Sequence, residues 1–270
     1  MITRRDFAKF AAAAVAVPAL SAIDSKFSGV MIGAQTYSFR TLPSLDDCIA
    51  AMKEIGLGYA ELWDNMRSYP PMDEIRGIRK KFDDAGIDLY AFNYNFRDGF
   101  TDRQIEQGFL MAKAMGVTRI TSSANVDLSP RVDKYAEQYK IYVGYHNHDS
   151  MKPNEFSTPD DWKKALAGRS KYAGINLDIG HFTAANFDPV SFLEEHHAKI
   201  LTLHIKDRKK DHGPNMPLGQ GDTNIKGVLE VLKTKKYPIP AMIEYEYGKP
   251  GMDTVAEVKK CFDYCKAALA

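Results

Sequence analysis

Short apolar runs alternate with amphipathic stretches along most of the chain, and this pattern predicts alternating β-strands and α-helices. The apolar runs predict strands at residues 30–36, 59–63, 87–93, 117–122, 141–147, 172–178, 200–205 and 241–245. Helical spacing predicts helices at residues 45–55, 71–85, 102–115, 132–138, 159–167, 189–197, 225–232 and 254–268. Several helices stop at a glycine shortly before the next strand, as at Gly56, Gly86 and Gly116, because glycine tolerates the left-handed backbone of a C-cap.

Strict alternation of strand and helix is typical of a parallel sheet. Eight such units in about 245 residues match the arithmetic of a (β/α)8 TIM barrel, which is an α/β fold. We therefore predict one barrel domain over residues 28–270, with no linker or second domain in the sequence. A doubly wound open sheet is less favoured, because no GxGxxG or GxxxxGKS/T loop follows an early strand.

The N-terminal segment, residues 1–22, has the parts of an export signal. Arg4 and Arg5 precede Phe7 in an arrangement that resembles the twin-arginine type, and an apolar run over residues 10–20 follows. This run is about half of the ~20 residues needed to span a bilayer, so we expect no stable membrane anchor. The sequence predicts export by the twin-arginine machinery and a periplasmic or otherwise exported domain. An amphipathic helix packed on the domain is the alternative.

The charge balance narrows the class of partner. The chain has 36 Lys and Arg against 35 Asp and Glu, whereas a dedicated nucleic-acid binder usually has a strong basic excess. We therefore expect no nucleic-acid partner. Three cysteines, Cys48, Cys261 and Cys265, form no CxxC pair and are assigned no chemistry. The sequence leaves open whether the domain forms a homo-oligomer.

Polar and ionisable residues gather where the predicted strands end. Barrel enzymes carry their chemistry at the C-terminal ends of the strands, because the loops there meet at one mouth. From the second strand to the eighth, these residues are Glu61, Asn93, Ser122, Ser123, His146, His148, Asp178, His181, His204, Lys206, Asp207, Glu244 and Glu246. Strands five to eight thus offer His, Asp, His and Glu, which suit one divalent ion such as Mn²⁺, Co²⁺, Mg²⁺ or Zn²⁺.

Five motifs carry a family resemblance: GYHNHD at 144–149, NLDIGH at 176–181, LHIKD at 203–207, PLGQGD at 217–222 and MIEYE at 242–246. In order and spacing they resemble the xylose isomerase-like barrel superfamily, the sugar phosphate isomerases and epimerases. The resemblance implies one divalent ion, bound by an acidic residue on strand five and by Asp178, His204 and Glu244. It places His181 at a substrate-contacting position.

Strand five departs from the family pattern, because His146 stands where many epimerases have a glutamate that serves as both ligand and base. We prefer His146 as the metal ligand, although His148 lies on the same face of the strand and could bind instead. A neutral imidazole bound to a metal cannot abstract a proton from a sugar. The base is therefore expected to be Glu244 or Glu246.

The resemblance implies a divalent-metal-dependent isomerase or epimerase that acts on a sugar or keto-sugar derivative through an enediolate. The predicted catalytic residues are Glu244, Glu246, His181 and Lys206. The predicted substrate contacts are Glu61, Asn93, His148, His181 and Lys206. Because an exported enzyme rarely meets phosphorylated sugars, we expect a small non-phosphorylated carbohydrate as the partner.

Other functions stay open as alternatives. The loss of the strand-five glutamate favours β-elimination from a keto sugar of the 3-keto-glycoside type, by a lyase or dehydratase on the same metal site. An endonuclease IV-like phosphodiesterase shares the spacing of Asp178 and His181, but it needs an Asp-x-His before its GxG turn, where this chain has Gly213-Pro214-Asn215. A non-catalytic sugar-binding barrel is a further alternative, as is pairing of Glu61 with a neighbouring basic residue.

Overall fold

The computed structural model describes residues 22–63 and 71–270 of the chain. The predicted twin-arginine-type segment lies outside the described residues, except for Ala22, which is exposed. Within the described ranges, no helix is both long enough and apolar enough to cross a membrane.

Eight parallel strands close into a barrel. They span Val30–Gln35, Tyr59–Trp63, Asp88–Asn93, Arg119–Ser122, Tyr142–His146, Ala173–Asp178, Ile200–Ile205 and Ala241–Ile243, and are called the first to eighth barrel strands below. Each pairs with the next, and the first also pairs with the eighth, which closes the barrel. The predicted single-domain (β/α)8 barrel is confirmed. Outside it, Lys26–Phe27 pairs antiparallel with the first barrel strand, and Asp207–Arg208 pairs with Asn215–Met216.

Helices cover the outside of the barrel. They are α1 Leu45–Ile55, α2 Met72–Ala85, α3 Asp102–Ala114, α4 Ser129–Tyr139, α5 Pro159–Leu166, α6 Ile179–Ala184, α7 Pro189–His196, α8 Ile225–Lys235 and α9 Thr254–Leu269. Gly56 and Gly86 cap α1 and α2 with φ of 92° and 75°, in the left-handed region that the sequence predicts for them. α4 begins three residues earlier than predicted, because Pro130 fits the first turn, where its missing N–H costs no hydrogen bond.

Two differences from the sequence prediction lie at the barrel mouth. α6 is absent from the prediction; it follows the sixth strand directly, because the Asp178 carboxylate accepts the backbone N–H of His181 at 2.7 Å and caps the helix. The eighth strand ends at Ile243, two residues earlier than predicted. It stops there because the Tyr245 N–H donates to Ser38 Oγ at 2.9 Å and not to a neighbouring strand.

An aromatic cluster supports the ends of the fifth and sixth strands. Phe182 on α6 packs against Trp162 of α5 and Phe192 of α7, with ring centroids 6.0 and 4.8 Å apart. Trp162 also donates its indole N–H to the carbonyl of Tyr145 at 2.9 Å. All three rings are buried, so packing and a hydrogen bond together fix the strand end that carries His146.

Candidate functional site

Four buried side chains converge at the mouth of the barrel. His146, Asp178, His204 and Glu244 come from the ends of the fifth, sixth, seventh and eighth strands, and one potential ligand atom of each lies within 4.8 Å of the others. The convergence follows from the fold, because parallel strands bring their C-terminal ends to one rim. The structure thus brings together all four predicted metal ligands.

One ring nitrogen of His146, Nδ1, is hydrogen-bonded to a neighbouring side chain. Its Nδ1 lies 2.8 Å from the Asn176 side-chain oxygen, which only accepts, so Nδ1 carries the proton and Nε2 does not. The Asn176 amide in turn donates to Thr202 Oγ1 at 2.5 Å. Burial, together with the nearby His204, lowers the pKa of His146 well below its ordinary value. A neutral imidazole with a free Nε2 is the form that binds metal.

His204 lies between two carboxylates. Its Nε2 is 3.1 Å from both Glu61 oxygens, and its Nδ1 is 3.0 Å from Glu244 Oε2. Burial disfavours charge on His204, but Glu61 and Glu244 outweigh it and raise its pKa well above the ordinary value. A histidine held by a carboxylate at one nitrogen is oriented to bind a metal ion through the other.

Glu61 lies behind His204 and away from solvent. Its side chain has no exposed surface, and Gln35 Nε2 and Thr121 Oγ1 donate to its Oε1 at 2.7 and 2.6 Å. Glu61 is also not among the residues that line the pocket at the barrel mouth. This position favours a role in orienting His204 over the substrate contact predicted from the sequence, and over pairing with a Lys or Arg.

Lys206 reaches into the same cluster. Its Nζ lies 3.0 Å from Asp178 Oδ2, 3.0 Å from Glu244 Oε2 and 2.7 Å from Glu246 Oε2. Burial alone would lower the pKa of Lys206, but the three carboxylates raise it above its ordinary value. Its Nζ also lies 2.9 Å from His181 Nε2, so two predicted catalytic residues are in direct contact.

The cluster fits a divalent cation on two grounds. Asp178 Oδ2, His204 Nδ1 and Glu244 Oε2 are buried without a hydrogen bond of acceptable geometry, although such atoms are normally paired. Four carboxylates, those of Glu61, Asp178, Glu244 and Glu246, face one lysine and His204, so negative charge remains in excess even when both are protonated. Carboxylate and imidazole donors suit Mn²⁺, Co²⁺ or Zn²⁺, and carboxylates suit Mg²⁺.

A polar pocket of about 190 Å³ opens above the cluster. On the side of the ligand cluster, the pocket is lined by His146, His148, His204, Glu244 and Glu246. Its opposite lining consists of Gln35, Tyr37, Trp63, Asn93, Asn95 and Ser123. The pocket thus receives the predicted residues Asn93, His148 and Glu246. Lys206 is 2% exposed and contacts the pocket residues Glu244 and Glu246 from below.

His181 connects the cluster to a charged network at the rim. Its Nδ1 lies 3.2 Å from Asp149 Oδ1, and Arg208 Nη1 contacts the same oxygen at 2.5 Å. Hydrogen bonds from His181 and Arg208 lower the pKa of Asp149 below its ordinary value, although burial opposes them.

Burial, with His181 and Lys206 nearby, lowers the pKa of His148. His146, His148 and His181 also place one ring nitrogen each within 4.8 Å of the others, so His148 stays an alternative ligand.

Asp207 organises the loop that carries the PLGQGD motif. Its carboxylate accepts backbone N–H groups of Gly219, Gly221 and Thr223 at 2.8, 2.9 and 3.2 Å. A Cβ at Gly221 would come within 2.0 Å of Asp207 Oδ1, so only glycine allows this approach. The motif therefore builds the rim of the mouth.

Several site residues were missed by the sequence reasoning. Gln35 ends the first strand, and its position alone could have identified it. Asn176 lies two residues before Asp178 on the same face of the sixth strand, which predicts a shared environment. Asn147 bonds the backbone of Asp178 in both directions, at 3.1 and 2.9 Å, and no sequence pattern indicates that pairing.

Comparisons with known proteins agree with this fold. A family model described as xylose isomerase-like TIM barrel matches residues 49–265. The chain is 33% identical over 93 residues to L-ribulose-5-phosphate 3-epimerase UlaE of Escherichia coli, a match that covers 34% of this chain and 32% of that protein. The match therefore spans about a third of the length of this curated relative.

Two of the similar solved structures show the same fold. That of L-ribulose 3-epimerase superposes with a TM-score of 0.73 at 14% identity, over 89% of this chain and 94% of the other. That of the IOLI protein with a binding zinc atom gives 0.72 at 15% identity, over 89% and 98%. Because the family model covers most of the chain, the chain belongs to the xylose isomerase-like TIM barrel family.

Proposed function

We propose that this protein is a divalent-metal-dependent isomerase or epimerase of a sugar or keto-sugar derivative. The observation that carries the proposal is the buried set of His146, Asp178, His204 and Glu244 beneath a polar pocket that contains a further carboxylate, Glu246. The epimerase names of a curated relative and of a structural neighbour support the class of reaction.

His146, Asp178, His204 and Glu244 would hold the ion. When bound, a divalent ion supplies stabilisation of the negative charge that develops on substrate oxygens when a proton is removed beside a carbonyl. The protein keeps these side chains in place through their second contacts. Asp178 uses Oδ1 to cap α6, which leaves Oδ2 for the cluster.

Glu246 is the best-placed base. It lines the pocket, is only half-buried and lies outside the four-residue ligand set. Lys206 contacts it at 2.7 Å and thereby orients the carboxylate toward the pocket. A carboxylate in reach of a bound sugar can accept a proton from a carbon beside the carbonyl. Lys206 is buried outside the pocket lining, so its part in this proposal is to hold Glu244 and Glu246 in place rather than to contact the substrate.

The far wall of the pocket fits an uncharged sugar. The side chains of Asn93, Asn95 and Ser123 offer amide and hydroxyl groups to sugar hydroxyls. Tyr37 and Trp63 pack edge to face with centroids 4.8 Å apart and give an apolar surface for a sugar ring. Binding through these groups places the reacting carbons between them and Glu246.

A second candidate is β-elimination from a keto sugar by a lyase or dehydratase. The observation that favours it is that the pocket lining has one carboxylate available as a base. The lining contains Glu244 and Glu246, and Glu244 belongs to the proposed ligand set. Epimerisation with two opposed bases needs a second acceptor, whereas elimination needs one base and an acid for the leaving group.

Solvent-isotope exchange separates these reactions. Purified domain with its metal content measured is incubated in D₂O with a panel of keto sugars, and products are followed by NMR. Deuterium in the sugar, together with a carbonyl moved to the neighbouring carbon or with one inverted centre, supports isomerisation or epimerisation. Release of an alcohol or water with a new double bond supports elimination. Absence of exchange and of turnover across the panel contradicts both.

We further propose that residues 1–22 direct export through the twin-arginine machinery. The support is the Arg4-Arg5 pair before a short apolar run. A reporter fused after residue 22 is expected to reach the periplasm, and Arg4→Lys with Arg5→Lys is expected to retain it in the cytoplasm. Periplasmic reporter with both arginines replaced contradicts the proposal.

A further inference from the structure

A second cavity adjoins the pocket above the metal-ligand cluster. It has a volume of about 430 Å³ and shares Ser123, His146 and His148 with the first pocket, so the two meet at these side chains. The first pocket, at about 190 Å³, is smaller than the ~300 Å³ at which ligand pockets usually begin, whereas the second lies within the usual range. A substrate that filled only the first pocket would leave the larger space unused.

The walls of the second cavity are held in place by hydrogen bonds. The loop over residues 147–158 forms one wall and is tied to the segment that follows the fourth strand. Asn154 accepts the Val126 N–H at its backbone oxygen at 3.0 Å and the Asp127 N–H at its side-chain oxygen at 2.9 Å. The His148 N–H donates to the Phe156 carbonyl at 2.8 Å. A wall with these bonds is formed before a ligand arrives.

The charges in this cavity do not suit a phosphate. Apart from the two histidines that it shares with the first pocket, its lining has one basic side chain, Lys152, which lies 4.0 Å from Glu155. A second acid in the lining, Asp149, is paired with Arg208. A phosphate placed there would face two carboxylates. The hydroxyl of Ser150, which donates to Glu155 at 2.5 Å, belongs to the same lining.

The remaining lining suits an uncharged ring. The Asn125 amide and the Ser150 hydroxyl can bond hydroxyl groups, and Ala124 and Phe156 add apolar surface. A hydroxyl-bearing ring with an apolar face combines both properties, as a second sugar unit does. The cavity therefore differs from the first pocket in size, yet matches it in the kind of group it can bind.

We propose that the second cavity is a subsite for a second, uncharged sugar unit, so that the substrate is a keto-disaccharide or similar glycoside and not a phosphorylated monosaccharide. The inference rests on the proposed function, because it assumes that the reacting sugar occupies the first pocket. It adds a substrate class to that function.

Binding tests the subsite separately from turnover. Metal-loaded Glu246→Gln protein, which lacks the proposed base, is titrated calorimetrically with fructose, fructose 6-phosphate and the keto-disaccharide lactulose. We expect lactulose to bind at least about tenfold more tightly than either monosaccharide. Equal or weaker affinity for lactulose, including no binding, overturns the subsite. Absence of turnover by the wild type across keto sugars, with lactulose still bound preferentially, overturns the proposed function only.

A filling substitution checks where the second unit binds. Ala124 lines the second cavity but not the first pocket, so Ala124→Phe should remove most of the lactulose preference while leaving fructose affinity unchanged. Ala124→Val repeats the test with a smaller side chain, and thermal unfolding checks that both variants fold. Ala167→Phe, at an exposed position just beyond α5, is the matched control. A lactulose preference that survives in folded Ala124→Phe contradicts the proposed position.

Discussion

The two halves of the barrel mouth differ in chemistry. Strands five to eight end in ionisable groups that converge to within 4.8 Å, namely His146, Asp178, His204 and Glu244. The other half lines the pocket with uncharged groups, namely Gln35, Tyr37, Trp63, Asn93, Asn95 and Ser123. The comparison shows that the two binding functions lie on different strands of one closed sheet. Strands five to eight can bind a cation, and strands one to four can bind the hydroxyl groups of a sugar.

Glu61 is the exception that joins the halves. It belongs to the second strand, yet its carboxylate contacts His204 of the seventh strand at 3.1 Å across the barrel interior. Glu61 is thus a carboxylate on the otherwise uncharged half, and it orients a proposed metal ligand, His204, on the other half. Substitutions in each half should therefore change different measurements, and Glu61 should group with the metal ligands.

The largest expected effect is loss of a ligand. Asp178→Ala and His204→Ala should each lower metal affinity by more than roughly 100-fold and should abolish turnover. Loss of a residue that only hydrogen-bonds a metal ligand typically lowers affinity about 10- to 100-fold, and loss of a ligand itself should cost more. Metal analysis after gel filtration measures retention. His197→Ala, which removes a half-buried histidine stacked on Tyr237 outside the mouth, is the matched control. Normal metal content in Asp178→Ala would contradict the assignment of metal binding to strands five to eight.

Loss of the proposed base should separate binding from chemistry. Glu246→Gln keeps the size of the side chain but cannot accept the proton, so kcat should fall by about 10²–10⁴-fold. Metal content should stay unchanged, because Glu246 is outside the ligand set. A variant that loses its metal together with activity would place Glu246 among the ligands instead.

Glu61→Gln tests the residue that crosses between the halves. Gln keeps the volume but loses the charge that orients His204, so metal affinity should fall about 10- to 100-fold with a smaller change in KM at saturating metal. A metal titration of activity measures both quantities. The opposite pattern, a higher KM with unchanged metal affinity, would support the substrate contact predicted from the sequence.

The smallest expected effect belongs to the neutral half. Asn93→Ala removes a pocket amide that also bonds the Thr121 carbonyl and hydroxyl. One hydrogen bond contributes about 0.5–1.5 kcal/mol, so KM should rise roughly two- to tenfold with metal content unchanged. Steady-state kinetics on the preferred sugar provides the test. Loss of metal in this variant would contradict the separation of the two halves.

The barrel and its ligand cluster could be predicted because both depend on strand order and strand ends. Parallel strands that close a barrel must bring residues such as Asp178 and His204 to one rim. The apolar pattern locates the strands, and the last polar residue of each then indicates the site. Gln35 follows the same rule, because it is the last polar residue of the first strand.

The remaining contacts could not be predicted because they depend on side-chain reach. Glu61 is a strand-end residue like the others, and only its packing beneath His204 distinguishes its role. Lys206 has a long side chain, and no spacing in the sequence shows that its Nζ meets three carboxylates. α6 depends on a cap from Asp178, a residue that the sequence assigns to a strand and to the metal.

The most direct test is a metal titration of the purified domain. The protein is stripped with a chelator, and Mn²⁺ is added back while bound metal and solvent-deuterium exchange into a keto sugar are measured together. If His146, Asp178, His204 and Glu244 form a catalytic metal site, exchange should rise in proportion to bound metal and saturate at one ion per chain. Full exchange activity in the stripped protein would contradict that site.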